Sequence, residues 1–111
     1  MSNVVSDKNV VNNQIISKEE AELLLTQTKI YEVIRVIDGK TVFLMEHFNR
    51  LNESIRLSGI KESLNYEEFK NSADVLIKEN SVKNLNIRVS YFYNKKPFTL
   101  FYFVESYYPS K

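Results

Sequence analysis

Residues Lys29 to Ile37 read Lys-Ile-Tyr-Glu-Val-Ile-Arg-Val-Ile, a stretch dominated by β-branched side chains that predicts a strand. Alternation along it places Tyr31, Val33, Arg35 and Ile37 on one face and Ile30, Glu32, Ile34 and Val36 on the other. Both faces are mostly apolar, so both are expected to be covered. Asp38-Gly39 follows and is the strongest hairpin signal in the chain, because both turn positions accept a positive φ. Residues 41–44 are then expected to return antiparallel. From 46 to 58 the period becomes helical, with Phe48, Leu51 and Ile55 on one stripe. Gly59 supplies a stop that can enter the left-handed conformation. A second helix is expected after Asn65, with Glu68 completing a capping pattern and Phe69, Ala73, Leu76 and Ile77 forming its buried stripe. Asn80-Ser81 ends it. Residues 84–93 alternate again, residues 94–97 form a turn, and residues 98–105 return as the last strand.

Upstream, residues 1–9 are polar and read as a frayed, disordered tail. Residues 10–16 suit a short edge strand. Ser17-Lys-Glu-Glu20 matches the capping box, and Leu23, Leu24 and Leu25 continue it into a short helix before Gln27. The predicted fold class is α+β: one domain over residues 10–111, with an antiparallel sheet of about four to five strands and two helices packed on one face.

Composition narrows the function. The chain has 111 residues, 43% hydrophobic and 26% charged, a globular balance that fits one domain. Fifteen Lys and Arg against fourteen Asp and Glu leave a net charge of +1, which argues against nucleic-acid binding through a general field. No Cys is present, which excludes disulfides and thiolate-bound metals, and a single His excludes a multi-histidine zinc site; no metal is expected. With two glycines, a glycine-rich phosphate cradle has no material to form from. No apolar run approaches a membrane span, and the start lacks the blocks of a signal peptide, so a cytoplasmic location is expected. Nine of the fourteen aromatic residues fall between Tyr91 and Tyr108, a density that suggests surface meant for something outside this chain.

The stretch richest in chemistry is a hairpin feeding a helix. His47, Arg50 and Ser54 share one side of that helix, beside the anchors Phe48 and Leu51. An arginine fixed by such packing presents a planar fork suited to a phosphate. Spacing alone equally allows Arg50 to pair with Glu46 or Glu53 at the surface. Arg88 and Ser90 share a strand face and suggest an anion contact, although a solvated sheet face suits them better. No pair of carboxylates forms an acid–base dyad, so no catalytic residue is assigned to this chain.

The order Tyr31-Glu-Val-Ile-Arg35, a turn with Gly39, Phe43-Leu44-x-x-His47-x-x-Arg50-Leu51-x-x-Ser54 and then Leu57-x-Gly59-Ile60 resembles the amino-terminal domain of the class IV aminotransferases. These depend on pyridoxal 5′-phosphate (PLP) and include branched-chain and D-amino-acid aminotransferases and 4-amino-4-deoxychorismate lyases. The resemblance is clear over residues 30–60 and looser from about 12 to 109. It implies that Arg50 binds the cofactor phosphate, that Tyr31, Val33 and Arg35 border the substrate pocket, and that His47 is structural. It also implies a carboxy-terminal domain carrying the PLP-linking lysine, a homodimeric parent enzyme, and amino acid and 2-oxo acid substrates. None of the eleven lysines here stands in a matching context, so this chain alone is expected to be inert. Before Tyr31 the family's usual glycines and acidic residue are missing, which leaves the substrate open. Two alternatives remain: a lyase domain eliminating pyruvate from aminodeoxychorismate, and a non-enzymatic module binding peptide or single-stranded nucleic acid on an aromatic, basic sheet face.

Overall fold

The computed structural model describes residues 4–27, 29–93 and 97–105. It is an α+β fold with a six-stranded antiparallel sheet and three helices. In chain order these are β1 (Lys8–Val11), β2 (Gln14–Ser17), α1 (Lys18–Leu24), β3 (Lys29–Ile37), β4 (Lys40–Thr41), α2 (Leu44–Leu57), α3 (Tyr66–Asn80), β5 (Asn86–Phe92) and β6 (Phe98–Val104). The strands lie in the order β2-β1-β6-β5-β3-β4.

Strand β3 has the span its β-branched run predicts, and it pairs along Lys29 to Arg35 with β5. The Asp38-Gly39 turn forms with φ of 52° and 76°, and Ile37 faces Lys40 across it. Strand β4 is shorter than expected, because Phe43 swings to φ 56° and starts α2 at Leu44. Beyond the short pairing with β4 at Val36 and Ile37, β3 has no strand on its outer flank among the described residues.

The amino-terminal region departs most from expectation. The residues read as a frayed tail are packed from Val4 onward: Val4, Ser6 and Asn9 are buried, and Lys8 already opens β1. The single edge strand expected over 10–16 is a hairpin, turning at Asn12 and Asn13 with φ of 49° and 65°. Asn tolerates this left-handed geometry better than other non-glycine residues. Strand β2 forms the sheet edge, while β1 pairs inward with β6. Together these raise the strand count to six.

Two cores sandwich the sheet. On one face α2 and α3 bury Phe48, Leu51, Ile55, Phe69 and Leu76 against Ile34, Val36, Ile87, Val89 and Phe101. This is the expected pair of helices on one face. On the other, α1 and the first residues cover the sheet from the β2 edge to β5, where Val4 and Ala21 meet Phe92, Leu100, Tyr102 and Val104. The aromatic strand β6 is therefore the middle of this chain's own core and not a surface for a partner, since Leu100, Phe101, Tyr102 and Phe103 are almost wholly buried. Residues 94–96 and 106–111, which include the predicted turn and the last two tyrosines, lie outside the described residues.

Candidate functional site

The Tyr31 face of β3 is open, where its apolar alternation predicts a cover. Tyr31 is 55% exposed and Ile37 40%, and Arg35 is also exposed. Helix α1 packs on the β2, β1, β6 and β5 part of that face, so Tyr31, Val33 and Arg35 of β3 form an open shelf beside it. Arg88 on β5 stands opposite Val33 in the ladder and lays its guanidinium 4.8 Å from the centre of the Tyr31 ring. This is a cation–π contact. Arg88 is half-buried rather than solvated, and its Nε is buried without a hydrogen-bond partner. Ser90 beside it is fully buried, with Oγ 3.4 Å from the Tyr102 hydroxyl. The solvated sheet face anticipated for Arg88 and Ser90 is thus a partly desolvated one.

The opposite face of β3 carries the second group of polar residues. Glu32 alternates away from Tyr31 and points under α2, where only 8% of it remains exposed. Its Oε2 lies in hydrogen-bond contact with Nδ1 of His47 at 2.6 Å and forms an ion pair with Nη1 of Arg50 at 3.2 Å. Helix α2 is rotated into this register by Phe48 and Leu51, which lie buried next to His47 and Arg50. His47 and Arg50 fall one turn apart and so reach the same carboxylate. The Arg50 side chain keeps 68% of its surface exposed despite the tether. Neither surface partner suggested by spacing holds it: Glu53 is taken by Arg56, whose guanidinium holds that carboxyl below the usual range.

The predicted site residues therefore divide into two sets. Tyr31, Val33 and Arg35 share the open face, while Arg50 lies on the helical side of the same strand, clasped to Glu32. The two sets meet only around the bare outer flank of β3. Sequence reasoning missed Glu32, although a lone carboxylate on an apolar strand face was a usable signal: such a group is buried only with partners. Chemically, one set offers braced N–H donors to an anion, and the other a phenol and two guanidinium groups beside an apolar wall. Among the described residues no cluster of His, Asp or Glu has the makings of a metal site, and no helix is long and apolar enough to cross a membrane.

The family described as "Amino-transferase class IV" matches residues 29–111, three quarters of the chain, and the chain belongs to that family. Among solved structures it is similar to the branched-chain amino acid aminotransferase of Escherichia coli, with a TM-score of 0.76 at 18% identity over 91% of this chain and 40% of that one. It is similar too to a T.th. branched-chain amino acid aminotransferase complexed with N-(5′-phosphopyridoxyl)-L-glutamate, with a TM-score of 0.78 at 17% identity over 93% of this chain and 42% of that one. The PLP-bound form of a hypothetical aminotransferase from Mycobacterium tuberculosis gives 0.72 at 15% identity, over 88% and 39%. At these identities the likeness speaks for the fold. The chain spans about two fifths of the length of these solved proteins. No curated protein matches it.

Proposed function

We propose that this chain is the amino-terminal domain of a PLP-dependent aminotransferase, supplying the cofactor-phosphate arginine and one wall of the substrate pocket. The observation that carries this reading is the bracing of Arg50: a guanidinium tied through one nitrogen to a buried carboxylate, with most of its surface still open. A phosphate ester asks for fixed, charged N–H donors at a surface that a second body can close over, so the residues present fit the group. When bound, PLP supplies the electron sink that lets an amino group leave one acid and join another.

In this reading Arg50 holds the phosphate, and Tyr31, Val33 and Arg35 border the substrate beyond the flank of β3. Arg88 holds the Tyr31 ring in place by lying over it. The amino acid and 2-oxo acid substrates, the linking lysine, the remaining domain and the homodimer belong to the parent enzyme. The 111-residue segment by itself is inert.

The test compares PLP with pyridoxal, which lacks the phosphate, in the longest natural chain that contains this segment. Arg50→Ala is expected to weaken PLP binding by roughly tenfold or more while leaving pyridoxal unchanged. Equal losses for both ligands, or none for either, would remove Arg50 from the phosphate site.

A further inference from the structure

We propose that Glu32 and His47 are positioning residues for Arg50, with Glu32 fixing the guanidinium and His47 keeping it from being neutralised. This rests on the reading of Arg50 as a phosphate ligand and adds what makes it a good one. An ionised carboxylate only accepts hydrogen bonds, so the 2.6 Å contact requires the proton on Nδ1 of His47, whatever the charge of the ring. One oxygen, Oε2, thus takes a hydrogen bond from His47 and an ion pair from Arg50, about one helical turn apart.

The consequences for Arg50 run in opposite directions. A solvated arginine samples many rotamers, and an anion that captures it must first quench that freedom. Tethering one Nη to a carboxylate that is itself 10% exposed does the quenching before any ligand arrives. The same carboxylate carries a negative charge, however, and a full ion pair with Arg50 would leave little attraction for a phosphate. His47 relieves that by engaging the same oxygen more closely, at 2.6 Å against 3.2 Å for Arg50. The guanidinium is held by the longer of the two contacts, through one nitrogen: oriented, with its other nitrogens left to attract an anion.

The experiment uses nitrogen-detected NMR of the arginine side chains in the longest natural chain that contains this segment, with Arg50 assigned from Arg50→Lys and inorganic phosphate as the probe. In the unaltered chain, rotation about the Cζ–Nη bonds of Arg50 is expected to be slowed, and its signals to move saturably with phosphate. Glu32→Gln should speed that rotation several-fold and weaken phosphate binding by roughly tenfold. His47→Gln, which keeps a side-chain N–H able to reach Glu32, should leave the rotation slow yet still weaken phosphate binding. If Arg50 does not respond to phosphate in the unaltered chain, the phosphate reading itself fails. If it responds, and both variants retain the same rotation and the same affinity, the phosphate reading survives and the positioning role is overturned.

Discussion

Nδ1 of His47 stands 2.6 Å from Oε2 of Glu32 and ties helix α2 to strand β3 at the margin of the larger core. The bond spans fifteen residues and fixes where the helix bearing Arg50 sits relative to the shelf-bearing strand. Removing His47 leaves a nearly buried carboxylate with Arg50 as its remaining named partner. We expect His47→Ala to lower the unfolding free energy by about 1–2 kcal/mol, read from urea melts with an unchanged slope. A loss below about 0.3 kcal/mol would mean that Arg50 suffices on its own.

Phe43 is a large aromatic held at φ 56° and exposed to 68%. Side chains with a Cβ are strained in the left-handed region, and this one recovers little by packing. Phe43→Asn should raise stability by about 0.5–1 kcal/mol, since Asn tolerates that geometry. A drop in the thermal midpoint would show that the ring makes contacts its exposure conceals.

Arg88 presents the reverse case, a buried nitrogen with no acceptor. Arg88→Met keeps the stem that lies beside Tyr31 and discards the unsatisfied donor. The change is expected to stay within about 1 kcal/mol of neutral, or to stabilise, in a chemical melt. On the proposed placement of Tyr31 at a substrate pocket, the same substitution in the longest natural chain containing this segment should raise KM for an amino acid, because the Tyr31 ring loses the cation that lies over it. A large stability loss would instead assign Arg88 to the scaffold.

Tyr91 fixes the pH response on the alkaline side. Its hydroxyl is buried without a partner, and burial, reinforced by the negative charge of Glu62, pushes its pKa above the ordinary 10.0. The unfolded chain therefore loses this proton at a lower pH than the folded one. Stability is full below pH 10 and falls as pH climbs past that value toward the folded pKa. Tyr91→Phe should flatten the alkaline fall in the thermal midpoint; an unchanged slope would mean other groups dominate it.

Much of this architecture was legible before any coordinates, and for reasons that can be named. The Ser17–Glu20 capping box forms in both directions, Oγ accepting from Glu20 N and Ser17 N donating to Glu20 Oε1, each at 3.1 Å. The Asn65 side chain caps α3 from its predicted position. Gly59 takes φ 82° just past the end of α2, as a stop should. These are local interactions, set by neighbours in sequence. Asn12-Asn13 was legible too, as two residues that accept left-handed geometry in succession, and reading them as strand loses a whole hairpin. Phe43 was not legible, because nothing about a phenylalanine announces a positive φ. The fate of β6 was the hardest: its aromatic run looks like an interface from sequence, and only the central place of β6 in the sheet makes it core. The clasp around Arg50 depends on a pairing between residues 32 and 50 that helix spacing, with its nearer glutamates, actively conceals.

Among the described residues, strand β3 is hydrogen-bonded along one side, while on the other it pairs with β4 at Val36 and Ile37 and its Arg35 carbonyl accepts from Val42 N. A row of peptide N–H and C=O groups so placed is a template for lateral growth. Purified at high concentration in isolation, this domain is therefore prone to zip strand against strand into soluble clusters. A polypeptide laid along that flank would act as a stopper, taking up the free peptide groups that otherwise invite a second copy.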